Sequence, residues 1–291
     1  KARFNVDVRT GSEVVAIDKQ KKSVTVRTAL STYEESYDYL VLSPGAAPIR
    51  PPIPGIDSEK IYTLRNIPDM DRIKKVVDSK QVRRAAVIGG GFIGLEMAEA
   101  LRHRDIDVTL VELADQVFMP ADSEMAQILH QHLELNSVRL MLGVGAEAFN
   151  EKNDGSVDIV LKGGSRISVD MVILAIGVRP DTQFIKSAGI TLNDRGLIVV
   201  DNQMRTDAEN VFAVGDAIEV TDFVSGRKVH LPLAGPANRQ ARIVADVIAG
   251  YNSTYKNTQG TAICKIFDIT AAVTGLNEKN AKRFGIAYQK S

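Results

Sequence analysis

Residues 84–102 constrain the fold of this chain more than any other stretch. The apolar run AAVI (85–88) meets Gly89, Gly90 and Gly91 and passes into FIGLEMAEAL (92–101), whose apolar residues recur at helical spacing. Strand, glycine turn and helix in that order make a βα unit, and Gly89, Gly91 and Gly94 fit the G-x-G-x-x-G spacing within it. Gly89 permits the tight turn, Gly91 lets a pyrophosphate approach the backbone, and Gly94 lets the helix pack on the strand. Phe92 and Ile93 open the helix, whose unpaired N–H groups and partial positive charge face an anion. The next apolar strand, VTLVE, ends in Glu112, 23 residues after Gly89, where a carboxylate accepts hydrogen bonds from an adenosine ribose. A carboxylate repels a 2′-phosphate, and no Arg or Lys stands in Leu113-Ala114-Asp115, so the expected dinucleotide is NADH in preference to NADPH. The competing readings are a structural glycine cluster and a strand-end acid that is merely solvated.

Around this unit the pattern alternates. Residues 65–77 read as a helix, as do FIGLEMAEALRHR and SEMAQILHQHLEL; with the buried strand VTLVEL between the last two, they imply parallel βαβ units. VRLMLG, AEAFNE, VDIVLKGG and RISVDMVILAIG then suit a β-meander that returns to the parallel sheet. Upstream, VDVRTGSEVVAID and KKSVTVRTAL alternate as hairpin strands, Phe4, Val6 and Val8 read as a strand already under way, and YDYLVLSPG reads as a third strand. Pro48, Pro51, Pro52, Pro54 and Gly55 predict an extended connector near a domain boundary. Downstream, LIVV (197–200) and VFAV (211–214) are strand candidates and PANRQARIVADVIAG is a helix; beyond Gly260 the text predicts a strand or two and the start of a helix. There is no repeat of solenoid period.

Composition removes several classes of function. Lys+Arg (36) cancels Asp+Glu (36), which argues against a nucleic-acid or membrane-surface partner. No apolar run approaches the roughly 18 residues of a spanning helix, and the first residues carry no signal-peptide pattern. One cysteine, Cys264, makes no internal disulfide, CxxC pair or cysteine-rich zinc site; in ICKIF it reads as a core thiol of a protein in the reducing cytosol. His130 and His132 point to different helix faces, His103 and His230 lack ligand-spaced partners, and no metal is expected. Lys19, Lys21 and Lys22 read as a solvated turn. Asp216, ending VFAVGDA, either holds a polyol hydroxyl or caps a turn.

Together these residues resemble the pyridine nucleotide–disulfide oxidoreductase family, and within it the coenzyme A disulfide reductase, NADH oxidase and persulfide reductase branch. The resemblance is carried by LVLSPGAAP (40–48), VIGGGFIGLEMAEAL (87–101), AIGVRPDT (175–182), VFAVGDA (211–217), LAGPANRQAR (233–242) and FDITAAVTGLNEKNAK (267–282), which cover nearly the whole chain. It implies an α/β fold of two Rossmann-like three-layer domains, one inserted in the other, followed by the start of an α+β dimerisation domain. The NADH domain would occupy 68–194, a partial FAD domain 1–67 and 195–258, and the dimerisation domain would begin at 261–291. Gly45 would lie beside the FAD adenosine, Asp216 on the ribityl chain, Ala234 along the flavin side of the pocket and Gly177 on the return strand of the nicotinamide domain. Arg9 and Asn238 match positions that meet substrate, a small-molecule disulfide or persulfide linked to coenzyme A. The activity implied is NADH-dependent disulfide reduction through FAD by a cytoplasmic homodimer, with an NADH oxidase or peroxidase, or a non-catalytic nucleotide-binding module, as alternatives. The family's first GxGxxG and its redox-active cysteine have no counterpart here, so no catalytic residue is assigned, and the chain is expected to be the interior of a longer protein.

Overall fold

In the strand Arg84–Ile88, Ala85 and Val87 face one apolar layer while Ala86 and Ile88 face another, and all four are buried. A strand covered on both sides belongs at the centre of a parallel sheet. The computed structural model, which describes residues 3–290, places it there; the expected domain limits Lys1 and Ser291 lie outside the described residues. The chain forms two compact units, Lys1–Ala46 with Arg179–Gln259 and Ala47–Val178 with Gly260–Ser291. The α/β class expected from the alternating pattern is the one observed.

The unit Ala47–Val178 with Gly260–Ser291 is built on a five-stranded sheet in the order Ile61–Tyr62, Met171–Leu174, Arg84–Ile88, Asp107–Val111, Val138–Met141, with every neighbouring pair parallel. One face is covered by Ile73, Leu95, Ala98, Leu101, Leu129 and Leu133 from the helices Ile67–Asp78, Phe92–Arg102 and Ser123–Leu135. The other is covered by the antiparallel strands Ala146–Glu151, Val157–Leu161 and Arg166–Val169, through Phe149, Val157, Ile159 and Leu161. The hairpin Ala262–Ile266/Ile269–Val273 adds Cys264, Ile266 and Phe267 to the helical face. Its turn residue Phe267, with φ +51°, is buried: its N–H donates to Glu99 Oε2 at 2.9 Å and its ring meets the edges of His103 and His132. The helix Glu278–Phe284 is tied to the same unit because Asp122 accepts from the N–H groups of Glu278 (2.9 Å) and Lys279 (3.1 Å).

The unit Lys1–Ala46 with Arg179–Gln259 contains the antiparallel strands Glu13–Asp18, Ser23–Arg27 and Thr32–Ser36. It also contains a parallel pair, Leu40–Leu42 with Val211–Ala213, and the helix Ala234–Ile248. Ile17, Val24, Leu42, Phe212, Ile218 and Val244 form its core. Two expected strands are absent. Phe4, Val6 and Val8 alternate but have no strand beside them, and all three are more than half exposed. LIVV (197–200) forms no ladder: Ile198 makes isolated bridges to Leu192 and Ile218. The strand Thr32–Ser36 is one that apolar patterning does not announce.

Candidate functional site

Gly89 leaves the central strand with φ +110°, its N–H donating to the carbonyl of Val111 at 2.8 Å. A Cβ on Gly89 would stand 2.3 Å from the Ala175 carbonyl oxygen, and one on Gly94 would stand 1.9 Å from that of Gly89. These two glycines are demanded by the close approach of backbone within the chain itself. Gly91 is different. It is the N-cap of the helix Phe92–Arg102, has φ −80°, is exposed, and a Cβ there would meet nothing within 4 Å. No side chain caps this helix, so its first N–H groups stand beside the one glycine of the motif that internal packing does not require. A pyrophosphate uses both features, and the loop fits one. Phe92 turns its ring edge-on to Phe118 at 5.2 Å, while Ile93 is half-buried in the first helical turn.

Glu112 is not a merely solvated acid. Its Oε2 accepts from the Gly90 N–H at 2.6 Å and its Oε1 from the Ala114 N–H at 2.8 Å. Each oxygen keeps a lone pair for a further donor such as a ribose hydroxyl. The Gly90 carbonyl accepts from the N–H of Phe118 at 2.8 Å, and a Cβ on Gly90 would come within 2.9 Å of Val117 Cγ1. Residues 112–118 therefore clasp the glycine loop from outside. Gly177, with φ +117°, stands two residues beyond Ala175, whose carbonyl touches the Gly89 turn; the Gly177 carbonyl accepts from Ile49 N–H at 3.0 Å.

In the other unit, the parallel strands Leu40–Leu42 and Val211–Ala213 end side by side, and Val214 N–H donates to the Leu42 carbonyl at 3.0 Å. Beyond one strand lies Gly45, with φ +71° and open space at its Cβ position. Beyond the other lie Gly215, with φ +80°, and Asp216 in the single helical turn Gly215–Ala217. The carboxyl ends of parallel strands are where open α/β sheets take ligands. Asp216 caps nothing: the turn has no side-chain cap, and its half-buried carboxylate makes no hydrogen bond or ion pair with the described residues. The Asp216 carboxylate thus caps no turn among the described residues. The backbone of this turn is held by Gln240, 1% exposed, whose Oε1 accepts from Gly215 N–H at 2.8 Å, and by His230, whose ring nitrogen lies 2.8 Å from the Asp216 carbonyl oxygen. Ala234 is the exposed first residue of the helix Ala234–Ile248, which also lacks a side-chain cap, and Asn238 is exposed one turn further on.

Arg9 is already engaged. Its guanidinium bonds Glu35 at 2.5 Å and Asp7 at 3.1 Å, which holds its pKa above the ordinary arginine value, and no bond joins it to Asn238. Cys264 is 2% exposed, and burial, with Glu96 and Glu99 adding to it, pushes its pKa up to about 11, so it is a protonated core thiol. Among the described residues no group of three or more His, Cys, Asp and Glu side chains could hold a metal ion, and no helix is long and apolar enough to cross a membrane. Sequence reasoning missed Val117 and Gln240 and read His130 only as a residue that binds no metal; His130 and Gln240 each bond one distant backbone amide.

Residues 1–241 match the family model described as pyridine nucleotide-disulphide oxidoreductase. A protein of Methanocaldococcus jannaschii named NADH oxidase is 37% identical over the whole chain, which spans 65% of that relative. The coenzyme A disulfide reductase of Staphylococcus haemolyticus is 34% identical over 98% of the chain, which spans 63% of it. The crystal structure of reduced Bacillus anthracis CoADR-RHD superimposes with a TM-score of 0.95 and 51% identity over 99% of this chain, covering 52% of that one. The sequence thus spans less than two thirds of each of these proteins.

Proposed function

The chain belongs to the pyridine nucleotide-disulphide oxidoreductase family, and from that premise we propose that it forms the nucleotide-binding part of an NADH-dependent flavoprotein that reduces a small-molecule disulfide or persulfide linked to coenzyme A. The observation that carries this reading is the contrast at the glycine loop: Gly89 and Gly94 are demanded by internal packing, whereas Gly91, at an uncapped helix start, is open toward a ligand. Gly89, Gly91, Phe92, Ile93, Gly94 and Gly177 cradle the dinucleotide within 68–194. Glu112 selects NADH by accepting from the ribose and repelling a 2′-phosphate. Gly45, Asp216 and Ala234, in 1–67 and 195–258, hold FAD, with the Asp216 carboxylate accepting a ribityl hydroxyl. Bound FAD supplies a two-electron relay from reduced nicotinamide to sulfur. Cys264, buried and protonated, does not supply the attacking thiolate that disulfide exchange requires. Arg9 and Asn238 meet the substrate, residues 261–291 open a dimerisation domain of a homodimer, and the reducing cytosol is the compartment.

The relative from Methanocaldococcus jannaschii favours a second reading, an NADH oxidase using the same two nucleotide sites with oxygen as acceptor. One experiment separates the two. The whole protein, loaded with FAD, is given NADH and, in separate anaerobic and aerobic runs, coenzyme A disulfide, coenzyme A persulfide or oxygen. Faster NADH consumption with the sulfur acceptors supports the reductase, and consumption with oxygen alone supports the oxidase. Failure of the chain to bind NADH removes both.

A further inference from the structure

The segment that clasps the glycine loop is anchored by its own buried Val117 and Phe118 side chains and by one bond to the buried ring of His130. Val117, whose Cγ1 would contact a Cβ on Gly90, donates its backbone N–H to Nε2 of His130 at 3.1 Å. Val117 is fully buried and His130 is 6% exposed, on the inner face of the helix Ser123–Leu135. Gln116, in the same segment and also buried, donates its side-chain amide to the Ala121 carbonyl at 3.1 Å. Because the partner is an amide N–H, Nε2 must accept, and an imidazole that accepts at Nε2 is neutral with its proton on Nδ1. An imidazolium at this place would set N–H against N–H and leave a buried amide without an acceptor.

We propose that His130 is a positioning residue of the dinucleotide site: neutral, it holds Val117 and through it the clasp on Gly90, and protonated it releases that clasp, so that dinucleotide affinity falls on the acid side of neutrality. The proposal rests on the reading of the glycine loop as the dinucleotide site. The charged groups that face His130 are Glu134, on its own helix, and Asp115, at the start of the clasping segment. Both favour the imidazolium, but burial opposes it more strongly and holds the pKa below the ordinary 6.5. The neutral form is therefore the resting one at pH 7. Protonation opposes the clasp only as pH falls below that ordinary value.

The test measures the affinity of the full chain for NAD⁺, which is stable in acid, by calorimetry between about pH 5 and 8, a window above the carboxylate range. Wild type is expected to lose affinity below the pKa of His130, by at most about tenfold per pH unit, the slope of one linked proton. His130→Gln, whose carbonyl accepts the same amide but does not titrate, is expected to bind as wild type at pH 7.5 and to stay flat toward acid. His130→Leu, which offers no acceptor, is expected to bind weakly throughout. A Gln variant with the wild-type acid loss overturns the proposal while leaving the dinucleotide site intact. Independently of any variant, the four histidines are titrated by NMR with and without saturating NAD⁺. NAD⁺ is expected to lower the pKa of His130, and an unchanged value overturns the proposal. Absence of NAD⁺ binding at pH 7.5 overturns the dinucleotide reading and this proposal with it.

Discussion

The glycine loop after Ile88 and the Gly215–Ala217 turn follow the same rule, a parallel strand ending in glycine at a sheet's carboxyl edge, yet they are finished differently. Around Gly90 the chain satisfies itself: Glu112 takes its N–H, Phe118 gives to its carbonyl, and Val117 fills the space beside it. Around Asp216 the backbone is satisfied by Gln240 and His230, and the carboxylate has no partner among the described residues. The first is a loop braced by the chain's own bonds that leaves one glycine and a helix start open. The second is a braced turn with one carboxylate open among the described residues. Substitutions in the first site should therefore strike stability and binding together, and in the second the two should separate by residue.

The largest effect is expected inside the first site itself. Gly94→Ala puts a methyl 1.9 Å from the Gly89 carbonyl oxygen, and neither backbone can yield without moving the helix off the sheet. Overpacking at this level should cost about 3 kcal/mol and abolish NADH binding. Gly91→Ala meets nothing and should leave chemical-denaturation stability within about 0.5 kcal/mol. It should nonetheless weaken NADH by about 1.4 kcal/mol, tenfold, or more. Equal stability losses in the two variants would erase the distinction between the packing glycines and the open one.

Next comes Glu112→Arg. Charge alone predicts exchanged preference, NADPH gaining what NADH loses. The hydrogen bonds to Gly90 and Ala114 change that expectation, because the arginine removes two acceptors from partly buried N–H groups, each worth about 1–3 kcal/mol. NADH should weaken by about 2–3 kcal/mol, with NADPH improving by less than NADH loses. A symmetrical exchange, measured by titrating both cofactors, would show that Glu112 does not brace the loop.

At the second site, Gln240→Leu leaves the Gly215 N–H without its acceptor and should destabilise the chain by about 1–3 kcal/mol. Asp216→Asn removes no bond to the described residues and should leave stability within about 0.5 kcal/mol while weakening the uptake of added FAD. Thermal unfolding with and without FAD reads both. An Asp216 variant that unfolds as easily as the Gln240 variant would place the carboxylate in the structural framework instead.

How much of this was legible in the sequence depends on whether a signal is periodic. The central strands declare themselves because Ala85, Val87 and their alternates are apolar on both faces, and the helix Ser123–Leu135 coincides with the segment that its spacing predicts. Alternation says which face of a strand could be buried, not whether a neighbour exists to pair with it, which is why Phe4, Val6 and Val8 mislead. Thr32–Ser36 fails in the opposite sense: a polar edge strand, it is recruited by pairing with Ser23–Arg27 and half-buries only Tyr33 and Glu35. Gly91 and Glu112 are readable because their spacing is set by one βα turn. His130 and Gln240 are not, since each reaches across 13 and 25 residues respectively to one backbone amide, and such a bond leaves no pattern.

The smallest contrast lies in two aspartates, one in each unit. Burial disfavours the charge of Asp170, yet the N–H groups of Arg83 and Arg84 and the Arg84 guanidinium outweigh it and hold its pKa below the usual 3.8. For Asp207 burial is likewise outweighed, by the hydroxyl and N–H of Thr191, and its pKa is also lowered. A carboxylate whose folded pKa is depressed adds stability above its unfolded value, and that contribution is lost as pH falls through 3.8 toward the folded value. Both should therefore weaken the fold only in acid, but not equally. The Asp170 carboxylate is 22% exposed, so Asp170→Asn should cost about 1 kcal/mol at pH 7 and flatten the stability profile below about pH 4. Asp207 is exposed, so solvent screening should cut the cost of Asp207→Asn to a few tenths of a kcal/mol. Urea unfolding at pH 7 and near pH 3 measures both differences. Equal costs at pH 7 would mean that solvent exposure does not set their ranking.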